Sequence, residues 1–343
     1  MWSPRPCQFR PLGFGFLVLA LASLLSPSGA RARDAPATPP AIRVGTLKFG
    51  TVDWELDVMA RHGIDRAHGF ALEQVDYAGK DGAAVALQGG AVDVILTDWL
   101  WVAKRRAMGG DFTFVPHSHL TGGLMVRKDS GIGGLADLKG RKIGIGGGPV
   151  DKSWILLRAY ALKTAGFDPA RDSTPVFAAP PLLNETLKRG GVPAALNFWQ
   201  YNARLPEAEF TELIKIEDVL PALGLSADLP LLGWVFSDRW ASAHPELGKA
   251  YLAAAAEARR LLATSPEEWR AIQPLTQAED APMLERLRRA YAAGIMTGEP
   301  AGTAGLAVQA QRMIDLLVRL GDRDDAPADG KLPPGTFFAG FGS

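Results

Sequence analysis

Twice in this chain, about a hundred residues apart, an apolar run closes on a tryptophan and gives way to a new pattern. "GGAVDVILTDWLWVAKR" (89–105) faces "GGVPAALNFWQYNAR" (190–204), and the match passes through Trp99 and Trp199. Two further pairs keep the same order: "VGTLKFGTVDW" (44–54) with "IGIGGGPVDKSW" (143–154), and "VDYAGK" (75–80) with "PVFAAP" (175–180). Each copy alternates short apolar strands with helical patterns that stop at glycine. Such alternation builds parallel βαβ units, and nearly continuous apolar strands require burial on both faces. A chain of 343 residues is also long for one core. The expectation is an α/β protein of two lobes.

Two extended segments would connect the lobes. "FTFVPHSHLTGGLMVRKDS" (112–130) reads as the crossing, and "DLPLLGWVFSDRW" (228–240) as the return strand. Lobe one is then 41–118 with 237–320, and lobe two is 119–236 including the hinge strands. Residues 244–320 read as mostly helical, and 321–343 as a loose C-terminal tail.

The beginning of the chain has a different character. Arg5 and Arg10 precede "PLGFGFLVLALASLL" and then the small-residue stretch "SPSGARA", the layout of a secretory signal peptide over 1–32. The apolar run is shorter than the roughly 20 residues that span a bilayer. Cleavage after Ala30 or Ala32 fits, leaving "DAPATPP" within a flexible lead-in over 33–40. Cleavage after Ala30 removes two of the 37 basic residues and none of the 37 acidic ones, leaving 35 against 37. That balance lacks the basic footprint of a nucleic-acid binder. The single cysteine, Cys7, lies inside the signal, so the exported chain has no thiol for a disulfide, a nucleophile or a metal.

"IRVG", "ALQGGAVDVILTD", "GLMVRKDSGIGGLADLKGRKIGI" and "VFSDRWASAHPEL" resemble landmarks of one family, and the similarity covers about 41–320. It is that of the substrate-binding proteins of ABC importers, of the nitrate/sulfonate/taurine/bicarbonate type. The resemblance implies a two-lobed periplasmic-binding-protein-like fold of type II, with two hinge crossings and a ligand held between the lobes. It also implies a periplasmic monomer that delivers a small organic or oxyanion ligand to a membrane permease. Enzymes share the scaffold. Thiamine-precursor synthases of this kind depend on a cysteine-rich motif that is missing here, and the menaquinone-pathway enzymes are cytoplasmic. An importer-independent periplasmic sensor is the third class.

Ligands of open α/β sheets sit beyond the C-terminal ends of strands. In the first copy those ends carry Phe49, Asp53, Trp54, Lys80, Asp98, Trp99 and Trp101; in the second they carry Gly147, Gly148, Asp151, Ser153, Asn197 and Trp199. Core packing for the tryptophans and helix capping for Asp53, Asp98 and Asp151 are the plain alternatives. "GIGGGPVDKSW" lacks the glycine a phosphate loop needs before its Lys-Ser pair, and Asp151 there would repel phosphate. It reads instead as a glycine-rich turn whose N–H groups hold a polar or anionic group. In "HSH", His117 and His119 have the spacing of a metal pair without a convincing third ligand; His117 is the better hydrogen-bonding candidate. No GxSxG elbow or HExxH motif is present, so neither catalysis nor a cofactor is expected. The tryptophans and acids lean toward an organic, planar, nitrogen-containing ligand, while Lys48, Lys80 and Lys152 leave an oxyanion open.

Overall fold

The structure, a computed structural model, describes residues 38–48, 50–149, 151–296, 303–320 and 326–341. The signal peptide, most of the lead-in and Phe49 lie outside the described residues. Among the described residues no helix is long and apolar enough to cross a membrane.

Ten strands form two separate five-stranded sheets. In chain order they are β1 (Ala41–Leu47), β2 (Ala71–Tyr77), β3 (Val94–Asp98), β4 (Phe112–Ser118), β5 (Gly122–Arg127), β6 (Lys142–Gly146), β7 (Thr174–Ala178), β8 (Ala194–Phe198), β9 (Phe210–Lys215) and β10 (Leu232–Ser237). The first sheet runs β2-β1-β3-β10-β4 and the second β7-β6-β8-β5-β9. Both have a parallel core, β1 with β2 and β3 in one and β6 with β7 and β8 in the other. In each the fourth strand is antiparallel to its neighbours, β10 in the first and β5 in the second. Each of these arrives from the opposite sheet: β5 directly after β4, β10 after β9 and the helix Ile216–Ala222. The duplicated pattern is thus a duplicated topology with one strand exchanged each way.

Local chemistry accounts for the elements. Ile42 and Val44 of β1 and Val94 of β3 are wholly buried, as a parallel strand covered on both faces demands. The helix Val52–Arg61 buries Val52, Glu55, Leu56 and Met59 along one stripe. The helix Lys152–Ala165 starts at the Asp151 cap and stops at Gly166, whose φ of 67° is the left-handed conformation glycine adopts freely. Three residues, 119–121, separate β4 from β5, and Gly122 then takes φ 133° against the backbone of Asn197. A Cβ there would collide with the Asn197 carbonyl, so only glycine fits.

Two segments are placed differently from the sequence reading. The helix Thr303–Leu320, assigned there to lobe one, packs on the lobe-two helix Lys152–Ala165, and its Gln309 side chain accepts a hydrogen bond from the Ser226 N–H at 2.9 Å. The C-terminal segment is not loose over 326–341. Thr336 and Phe337 are buried, and Phe114 exchanges backbone hydrogen bonds of 2.9 Å with Thr336 and Phe338, extending the first sheet beyond β4. The burial of Phe337 against Trp99 and Phe114 supplies the drive.

Candidate functional site

A cavity of about 130 Å³ lies where the C-terminal ends of β1 and β3 face the segments following β6 and β8. Lobe one contributes Thr46, Thr51, Lys80 and Thr97; lobe two contributes Asp151, Lys152, Ser153, Phe198 and Trp199, and Thr121 comes from the link between them. Two cations cross the gap in opposite directions. Lys152, in the first turn of its lobe-two helix, places Nζ 2.7 Å from Asp98 Oδ2 at the end of β3. Lys80, at the start of the lobe-one helix Lys80–Gln88, stands over the Phe198 ring at the end of β8, 5.5 Å from its centre.

The charges are unevenly satisfied. Asp98 accepts from the Trp101 N–H at 2.9 Å with one oxygen and holds Lys152 with the other. Burial opposes its ionisation, but the charges of Lys152 and Lys80, with these hydrogen bonds, outweigh that and keep its pKa below the ordinary value. Asp151 caps its own helix through the Ser153 N–H at 2.9 Å. Lys80 has no carboxylate within ion-pair distance among the described residues. Its pKa is pushed down, first by the like charge of Lys152 and then by lost hydration, while Asp151, Asp98 and Asp81 pull the other way. Lys80 is exposed, so lost hydration counts for less than the repulsion from Lys152.

The neighbourhood favours negative charge in a second way. The helices Val52–Arg61 and Lys80–Gln88 start beside the cavity without a side-chain cap. Their first N–H groups lack intrahelical partners, and the helix dipole places partial positive charge there. The Thr121 hydroxyl, in the link, is buried with no hydrogen-bond partner among the described residues.

The other expected residues lie elsewhere. Trp99 is wholly buried within lobe one against Phe337, because its side chain turns under the helix that it starts. Trp54 packs edge-on against Trp269 in the core and meets Trp199 at 5.9 Å. Trp101 packs on Phe112 and under Arg105, outside the cavity. Of these four tryptophans only Trp199 lines the cavity, and it also touches Tyr291 of lobe one. Asn197 is a buried pin within lobe two, donating to Pro180 O and Asn184 Oδ1 and accepting from the Phe198 N–H. Gly147 and Gly148 take φ 89° and 97° in the turn that brings Asp151 into position, and neither lines the cavity.

Asp53 stands beside the cavity rather than in it. Gln74 donates to it at 3.1 Å, and burial together with the nearby charge of Asp76 raises its pKa to about 6, against the Thr46 hydrogen bond. His117 belongs to a buried network inside lobe one. Arg259 can only donate, so His117 Nδ1, 3.0 Å away, accepts, and the ring proton on Nε2 faces Glu55 Oε1 at 3.2 Å. Tyr291 donates to the same carboxylate at 2.7 Å. Among the described residues no group of three or more His, Cys, Asp or Glu is placed to hold a metal ion.

Thr46, Thr97, Thr121 and Phe198 line the cavity but were absent from the expected residues, and Lys152, expected only as a possible cation, lines it as well. A signal existed for the first two: each hydroxyl falls in the closing residues of an apolar strand, where β1 and β3 emerge from the sheet.

Two mixed sheets linked by reciprocal crossings, with a cavity of mixed apolar and polar lining between them, define the two-lobed fold of periplasmic binding proteins. The chain belongs to the NMT1/THI5-like family, whose description matches residues 62–269. Among solved structures it is similar to the periplasmic aliphatic sulphonate binding protein SsuA of Escherichia coli, with 20% identity and TM-score 0.66 over 83% of this chain and 94% of that one. The alkanesulfonate-binding SsuA of Xanthomonas axonopodis pv. citri, bound to MOPS, is 21% identical with TM-score 0.62 over 87% and 96%. The periplasmic nitrate-binding protein NrtA of Synechocystis PCC 6803 is 13% identical with TM-score 0.57 over 88% and 93%. No curated protein sequence matches the chain.

Proposed function

We propose that this protein is the extracytoplasmic solute-binding component of an ABC importer, and that it takes a small singly charged oxyanion. The observation that carries the reading is Lys80, an ammonium facing an interlobe cavity with no carboxylate partner among the described residues. Two uncapped helix starts and the hydroxyls of Thr51, Thr97 and Thr121 would supply N–H and O–H donors around the same anion. A volume of about 130 Å³ suits a ligand of a few heavy atoms, since drug-sized pockets run to roughly 300–1,000 Å³. That size, and the placement of Trp54, Trp99 and Trp101 outside the cavity, turn the preference from a planar nitrogen heterocycle to a nitrate-, carboxylate- or short sulfonate-like group. Binding leaves the ligand chemically unchanged, and closure is favoured because contacts from both lobes form only in the closed state. In this reading the mature protein is a soluble periplasmic monomer that docks on a membrane permease after its signal peptide is removed.

Calorimetric titration with methanesulfonate, nitrate and acetate tests this. At least one should bind, and Lys80→Met should weaken it tenfold or more, the loss expected for a charge-assisted hydrogen bond. Retained affinity in Lys80→Met would reject the assignment of the anion to Lys80. Turnover of the bound anion would reject the binding-only role.

A further inference from the structure

The cavity contains two ammonium groups, yet the fold leaves only one of them available to a ligand. Lys152 reaches from lobe two to Asp98 in lobe one at 2.7 Å, and both side chains are largely buried, 12% and 14% exposed. Asp98 needs only one oxygen for its capping bond to Trp101, so its second oxygen is committed to Lys152. Were that carboxylate neutral, Lys80 and Lys152 would present two like charges to one small cavity. Asp98 itself stands behind Lys152 rather than in the lining, and Asp151, the one carboxylate that lines the cavity among the described residues, holds the N-terminus of its own helix.

We propose that Asp98 sets the charge of the ligand: by neutralising Lys152 it fits the cavity to a monoanion and rejects dianions of the same shape. This rests on the anion reading given above for Lys80. The physical argument is a difference in Coulomb energy. Any negative charge near the cavity repels a dianion twice as strongly as a monoanion, and partial burial keeps that difference from being screened away. Asp98 therefore acts on the ligand through Lys152, as a positioning and charge-setting residue.

Methanesulfonate and sulfate provide the test, being tetrahedral oxyanions of similar size with one and two charges. Both are titrated by calorimetry into the full-length exported chain at matched ionic strength. The wild type should prefer methanesulfonate. Asp98→Asn keeps a capping side chain, since asparagine caps about as well as aspartate, and should move the affinity ratio toward sulfate by tenfold or more. Lys152→Met should weaken both anions, sulfate the more. The double variant Asp98→Asn/Lys152→Met restores the cavity's net charge and should return the ratio to near its wild-type value, which a purely structural role for the pair would not do. A ratio unchanged in Asp98→Asn, with both affinities moving together, would overturn the proposal while leaving the anion reading intact. Failure of the wild type to bind any monoanion would overturn both.

Discussion

Replacing Asp53 by asparagine should remove one source of the wild type's loss of stability between about pH 4 and 6. In the fold this carboxyl holds its proton up to about pH 6, against an ordinary value of 3.8, because burial and the neighbouring Asp76 disfavour the anion. In the unfolded chain the proton is lost near pH 4. Stability from this group is therefore fully present below about pH 4, falls as pH rises towards 6, and stays lost above it. At roughly 1.4 kcal/mol per pH unit, the rise from 3.8 to about 6 corresponds to about 3 kcal/mol. Asp53 is only partly buried, so solvent screening reduces this to about 1–2 kcal/mol. Asparagine can still accept the hydrogen bond from Gln74. Urea unfolding at pH 4, 5, 6 and 7 would measure it: Asp53→Asn should gain about 1–2 kcal/mol on the wild type between the ends of the series. Parallel curves for the two proteins across pH 4 to 7 would refute the reasoning.

Trp99→Ala should cost about 3–5 kcal/mol of stability, the range for removing a core tryptophan, with anion affinity unchanged in the folded fraction; chemical denaturation and calorimetry read the two quantities. Trp199→Ala should instead weaken anion binding, because this indole lines the cavity and touches Trp54 and Tyr291 across the lobes; it should also reduce any change in intrinsic fluorescence on adding ligand. Gly122→Ala should lower the melting temperature sharply, since its φ of 133° and its contact with the Asn197 carbonyl leave no room for a methyl group. Deleting residues 326–343 should expose Trp99, Phe114 and the edge of β4, and is expected to raise binding of a hydrophobic dye.

The fold was legible because its signals are local and periodic. Strands such as β1 and β3 declare themselves by apolar runs, and the two copies repeat in order, so a duplicated α/β architecture followed directly. The placement of Thr303–Leu320 did not. An amphipathic pattern says that a helix has a buried face, but not which lobe covers it, and the contact with Lys152–Ala165 is between residues more than a hundred positions apart. The packing of 326–341 was hidden because Gly- and Pro-rich segments look like loops even when phenylalanines anchor them. The site divides in the same way. Position after a strand identified Lys80, Asp151, Ser153 and Trp199 as lining residues. It could not distinguish Trp99 from Trp199, which occupy equivalent places at helix starts but point into different surroundings. Nor did it single out the ion pair between Asp98 and Lys152, which depends on how two distant segments meet.

The exchange of strands has a consequence for the order of events as the chain is made. β3 and β4 are never neighbours; they are joined only through β10, which begins at Leu232. When a chain emerges N-terminus first, its first sheet remains split until the whole of the second sheet has followed. The second sheet needs nothing that comes after β9, and can close first although it starts later. Long-range strand pairing of this kind is slow, because loop closure costs entropy before any contact offsets it. The chain therefore stays incompletely folded for most of its synthesis, with the β3 edge exposed until β10 arrives.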